Sequence, residues 1–169
     1  MTESHIYRAV PAERHGRRSM TTLDQAKAIE ILMVEDNLAD VRLTQLALRD
    51  ARVCNTLNHV PDGEEAMRYL RREGAYTTAS MPDIVLLDLN MPKKDGREVL
   101  EEIRADPRLT HLPVIVLTTS EADEDILQSY GLHANSYVVK PLGLDEFIQV
   151  IRGLEDYWLC LAKLPTKLA

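Results

Sequence analysis

The sequence is poor in cysteine. Its two cysteines, Cys54 and Cys160, form no close pair and no spacing that suits zinc. A disulfide scaffold and a cysteine-built metal site are excluded, and free thiols in a reducing compartment are expected. An excess of positive charge is also missing. Twenty Lys and Arg against 27 Asp and Glu leave a formal net charge of -7, which repels a phosphate backbone, so nucleic acid is not expected as a direct partner. No apolar run approaches a membrane span, and Met1 to Met20 has no stretch of signal-peptide character, so a cytoplasmic protein with no membrane partner is expected. The five histidines, His5, His15, His59, His111 and His133, show no i, i+4 pair and read as surface or turn residues.

What is present is a balance of 45% hydrophobic and 28% charged residues, enough apolar material for a sizeable core. A length of 169 residues fits one ordinary domain and leaves too little for a second. Residues 1–28 hold Arg8, Arg14, Arg17, Arg18 and Pro11 without helical or strand period, and read as a flexible arm. The domain is expected over residues 29–154, with residues 155–169 as an extension of its last helix and a tail.

From Ile29 short apolar runs alternate with amphipathic stretches, the pattern of a parallel sheet wrapped by helices. Strands are expected at residues 29–34, 56–60, 83–87, 114–117 and 137–139. Between them, Leu43, Leu46 and Ala47 mark the first helix. Asp62 is placed to cap a second that buries Ala66 and Leu70. Val99, Leu100 and Ile103 mark a third, stopped by Asp106-Pro107. Acids from Glu121 to Asp125 open a fourth that closes at Gly131. The last helix is expected over residues 145–164, where Phe147, Ile151, Leu154, Trp158 and Leu161 are spaced as a heptad-like seam. The fold class that follows is α/β, a doubly wound five-stranded parallel sheet of order 2-1-3-4-5 with helices on both faces.

Such sheets bind ligands beyond the carboxyl ends of their strands. Here the first strand ends in Glu35-Asp36, the third in Asp88, the fourth in Thr118-Thr119 and the fifth in Lys140-Pro141. Taken singly, each has a plain structural reading: solvated acids, a turn cap, a core hydroxyl, a surface charge. Together, three crowded carboxylates repel one another unless a cation neutralises them, and hard oxygen ligands suit Mg²⁺. A phosphoryl group arriving there would meet the metal on one side and Lys140 on the other.

The motifs Ile31-Leu32-Met33-Val34-Glu35-Asp36-Asn37, Val85-Leu86-Leu87-Asp88-Leu89-Asn90-Met91-Pro92 with Asp95-Gly96, Val116-Leu117-Thr118-Thr119 and Tyr137-Val138-Val139-Lys140-Pro141 resemble those of the receiver domains of two-component response regulators. The resemblance spans roughly residues 29–154. It implies that a histidine kinase phosphorylates Asp88, and that Asp36, Asp88 and the Asn90 carbonyl ligate Mg²⁺, with Glu35 acting through water. It further implies that Lys140 and Thr118 hold the phosphoryl group and that Tyr137 turns inward on activation. Signalling would then pass through the surface of the fourth helix, fifth strand and fifth helix. Thr119 stands where the family usually has a smaller residue. A finer resemblance, to single-domain regulators paired with phytochrome-type histidine kinases, rests on Arg72-Glu73-Gly74-Ala75-Tyr76, Asp106-Pro107-Arg108-Leu109 and the end from Glu155 through Trp158 to Pro165.

Three other classes fit less well. A Mg²⁺-dependent phosphatase of the haloacid dehalogenase type needs a second acid two residues after the nucleophile, and Asn90 stands there. A flavodoxin-like carrier needs a phosphate loop after the first strand, where Glu35-Asp36-Asn37 repels phosphate. A DNA-binding output module does not fit in the residues after Pro141, so a separate downstream protein is expected. A receiver that only shuttles or sinks phosphate in a relay is an alternative use of the same chemistry. A homodimer through Phe147, Ile151, Leu154, Trp158 and Leu161 is also expected, the other possibility being that the extension folds back over its own sheet.

Overall fold

A computed structural model gives the fold, and residues 28–49, 53–119, 131–161 and 164 are described. The arm, the body of the helix expected after Glu121 and most of the tail lie outside the described residues.

The runs Ile84–Asp88 (β3) and Val114–Thr118 (β4) are buried along their whole length, as strands covered by helices on both faces must be. With Ile29–Val34 (β1), Asn55–Val60 (β2) and Ser136–Val139 (β5) they form one parallel sheet of order β2-β1-β3-β4-β5. This is the expected doubly wound order. The register aligns the strand ends: Val34 pairs with Val60 and Leu87, Asp88 with Leu117, and Thr118 with Val139.

Successive side chains alternate between two core layers, as the period of a strand requires. Leu32, Val34, Val85, Leu87, Val114 and Val116 face Gly63–Arg71 (α2) and Gly96–Ala105 (α3). Ile31, Met33, Ile84, Leu86, Ile115 and Leu117 face Leu38–Arg49 (α1) and Leu144–Leu154, which is α4 among the described helices.

Local chemistry fixes the helix starts. The Asp62 carboxylate accepts from the Glu65 amide at 2.9 Å, so the expected cap of α2 is present, and Ala66 and Leu70 are buried. Asp95 and Glu98 form a reciprocal capping box at the start of α3, which ends at Asp106 as expected.

The first helix forms where expected, and the last one needs correction. In α1 the buried stripe is Val41, Thr44, Ala47 and Leu48, while Leu46 is 47% exposed and Leu43 only partly buried. Thr44 takes a core-facing place because its hydroxyl donates to the Asp40 carbonyl at 2.8 Å, which satisfies the polar atom inside the helix. The last helix does not run straight from residue 145 to 164. It is α-helical to Leu154 and continues as a π-helix over Glu155–Leu161. The weak helix former Gly153 stands two residues before the change, and the wider π turn does not keep a seam of period 3.5 on one line.

Candidate functional site

Four of the strand ends bring together residues far apart in sequence. Glu35 follows β1, its amide donating to the Val60 carbonyl at 3.1 Å. Asp88 closes β3 and Thr118 closes β4. Lys140 follows β5, where its amide donates to the Thr118 carbonyl at 2.7 Å and adds a rung to the ladder. Glu35, Asp88, Thr118 and Lys140 are all buried, whereas Asp36 is exposed.

Oxygens of Glu35, Asp36 and Asp88 lie within 4.8 Å of one another. The set is all hard oxygen, with Asp36 open to solvent, and this fits a divalent cation such as Mg²⁺ better than a soft metal. Against this triad sits the Lys140 ammonium. It donates to Glu35, to Asp40 Oδ2 at 2.9 Å and to Asp88 Oδ2 at 3.2 Å. Burial pushes the Glu35 carboxyl up to about 7, while its bonds from Lys140 and the Asn37 amide pull the other way. Burial alone would lower the Lys140 pKa, but Glu35, Asp88 and Asp40 together hold it above its ordinary value.

The loop after Asp88 is folded tightly back. The Asn90 amide donates to Asp88 Oδ1 at 3.0 Å, and the Asn90 side-chain amide donates to the Thr118 hydroxyl at 2.7 Å. The Gly96 amide donates to the Leu89 carbonyl at 3.0 Å, and a Cβ at Gly96 would collide with the Asp88 carbonyl and stand 2.7 Å from the Leu89 Cα. Only glycine fits this approach. Lys93, in the left-handed region at φ 62°, bonds Asp62 at 2.8 Å and ties the loop to the cap of α2.

The structure therefore gathers Glu35, Asp36, Asp88, Asn90, Thr118 and Lys140 at one place. Tyr137 is half-buried against the α2–α3 core layer, and Thr119 is exposed. Phe147 and Ile151 are 3% and 1% exposed in the α1–α4 layer of the chain's own core, and Leu154 and Trp158 pack partly buried against the same layer. The expected interface role of Phe147 and Ile151 is thereby corrected: a side chain enclosed by its own sheet presents no surface to a second copy. The Leu161 side chain lies outside the described residues.

A family profile for the response regulator receiver domain matches residues 31–152. The chain belongs to that family. Among curated relatives, the response regulator Rcp1 of Synechocystis sp. is 44% identical over 135 residues, covering 80% of this chain and 92% of Rcp1. Among solved structures, the phosphorylated cyanobacterial phytochrome response regulator RcpA superposes with a TM-score of 0.81 at 51% identity, covering 83% of this chain and all of RcpA. The Mn²⁺-bound form of Rcp1 superposes with a TM-score of 0.79 at 43% identity, covering 82% and 99% of the two chains. No described helix is long and apolar enough to cross a membrane.

One residue of this receiver escaped the reading of strand ends. Asp40 lies in the first turn of α1, where strand ends do not point, and its only sequence signal is its place four residues after Asp36.

Proposed function

We propose that this receiver takes a phosphoryl group from a histidine kinase onto Asp88, with Mg²⁺ held by Glu35, Asp36, Asp88 and the Asn90 carbonyl. The observation that carries the reading is the placement of the buried Asp88 carboxylate: 3.2 Å from the Lys140 ammonium and within the 4.8 Å carboxylate triad. In the transfer an Asp88 oxygen attacks phosphorus, the bond from phosphorus to the donor histidine nitrogen breaks, and the imidazole leaves with that electron pair. Bound Mg²⁺ supplies charge neutralisation and in-line alignment. Lys140 meets the charge on the phosphoryl oxygens. Thr118, whose hydroxyl now accepts from Asn90, donates to the phosphoryl group, and Tyr137 repacks as the signalling face shifts.

The likeness to Rcp1 and RcpA supports a phytochrome-type kinase as the donor. Incubation with acetyl phosphate and Mg²⁺, trapping of the acyl phosphate and mapping by mass spectrometry tests the core of the reading. Label on Asp88 is expected, and label that persists in Asp88→Asn would sink the assignment.

The homodimer is retained in a reduced form. With Phe147 and Ile151 enclosed in the core, it rests on the outer part of Trp158 and on Tyr157, which is 58% exposed and meets the Trp158 ring edge-on at 5.4 Å.

A further inference from the structure

A lysine ammonium has three N–H donors, and in this chain each is directed at a different carboxylate: Glu35, Asp40 and Asp88. Glu35 and Asp88 also belong, with Asp36, to the triad whose oxygens converge. Asp40 does not. It reaches Lys140 from the first turn of α1, with its side chain 19% exposed, held on a helix whose start is fixed by the Asn37 side chain accepting from the Ala39 amide at 2.9 Å. A divalent cation and Lys140 therefore compete for Glu35 and Asp88, and Asp40 is the acceptor left to Lys140 once the cation has taken them.

We propose that Asp40 is a positioning residue for Lys140: it draws the ammonium off the cation ligands as the metal enters, then keeps it beside Asp88 for the phosphoryl oxygens. The inference rests on the reading of the site as a Mg²⁺-dependent phosphoacceptor. Without Asp40, Lys140 turns wholly onto Glu35 and Asp88 and blocks the cation. A plain through-space attraction between Asp40 and Mg²⁺ predicts something different, because it persists when Lys140 is absent.

A double-mutant cycle on the full chain separates the two. Mg²⁺ affinity is measured by calorimetry, and the rate of Asp88 labelling by acetyl phosphate at saturating Mg²⁺, for wild type, Asp40→Asn, Lys140→Met and the double variant. Asp40→Asn is expected to weaken Mg²⁺ binding about three- to tenfold in the wild-type background and less than about twofold in the Lys140→Met background. It is expected to slow labelling even when Mg²⁺ saturates, and Asp40→Glu, which restores the carboxylate, is expected to recover part of both losses. An equal loss of affinity in the two backgrounds, or no loss in either, overturns the inference. A wild type that neither binds Mg²⁺ nor takes label on Asp88 overturns the reading of the site and this inference with it, and that failure is visible before any variant is compared.

Discussion

At the carboxyl ends of the strands, Glu35, Asp88, Thr118 and Lys140 are each no more than 7% exposed, and Lys140 pairs with Glu35 across 105 residues of sequence. Toward the amino ends of the same strands, Ile31, Ile84 and Ile115 meet Leu48, Ile151, Leu154 and Trp158 in an apolar groove. Burial is handled in opposite ways. At the first end desolvated charges are tolerable only because they bond one another, so a substitution there changes chemistry first. At the second, close packing dominates around a single lining carboxylate, the buried Glu155, so truncating an apolar residue there changes stability first.

The largest expected effect tests that division at the polar end. Asp88→Asn should abolish labelling by acetyl phosphate while moving the melting temperature by less than about 5 °C, because it relieves repulsion in the triad as it takes an acceptor from Lys140. Collapse of the fold in Asp88→Asn would show that the site is structural as well as reactive. The mirror experiment is Ile151→Ala. Truncating this 1%-exposed side chain should cost about 2–5 kcal/mol in denaturant unfolding, with the labelling rate of the protein that remains folded unchanged. A slowed rate in fully folded Ile151→Ala would break the comparison by showing that the apolar end feeds the site.

A smaller effect links stability to pH. The Glu35 carboxyl is raised from an ordinary 4.5 to about 7 by burial, so the folded chain binds a proton that the unfolded chain has released. That stabilisation is full below pH 4.5 and is lost as pH rises through about 7. Metal-free protein should therefore lose roughly 1–3 kcal/mol between pH 5 and pH 8 from this group. Urea melts across that range should show the fall in wild type and a flatter profile in Glu35→Gln. An identical slope in both proteins would remove Glu35 as its cause.

The polar end was legible in sequence because its residues sit in short motifs at strand ends, and parallel register leaves them nowhere else to go: Glu35, Asp88, Thr118 and Lys140 converge as their positions dictate. Asp40 was not legible, since its contact with Lys140 spans 100 residues and depends on how the first turn of α1 is set beside the residue that follows β5. The apolar end was legible only in part. The spacing of Phe147, Ile151, Leu154 and Trp158 marks residues that pack in one core layer, but periodicity does not say which surface they meet, nor that the α-helix gives way to a π-helix at Glu155. In α1 the same weakness appears on a smaller scale. Leucine at position 46 fits a helical period as well as the true stripe does, and only the packing of Val41 and Leu48 against the sheet decides the phase.

Trp158 is the residue on which the comparison turns, because it belongs partly to the apolar groove and partly to the outer surface. Its two faces make separable contributions. The share packed against Ile31, Ile84 and Ile115 stabilises a single copy, and its loss is independent of protein concentration. In the proposed dimer the outer share, beside Tyr157, faces the second copy, and its loss is expected to show only where two copies meet. Light scattering at tens of micromolar, an order of concentration at which a stable interface persists, should give the dimer mass for wild type and the monomer mass for Trp158→Ala. Dilute melts, where both proteins are monomeric, should still place Trp158→Ala lower by a few degrees, about 1 kcal/mol for a partly buried ring. A monomeric wild type at the higher concentration would remove the dimer and assign Trp158 wholly to its own sheet. An unchanged dilute melting temperature would instead assign it wholly to the interface, leaving the groove to Ile151 and Leu154.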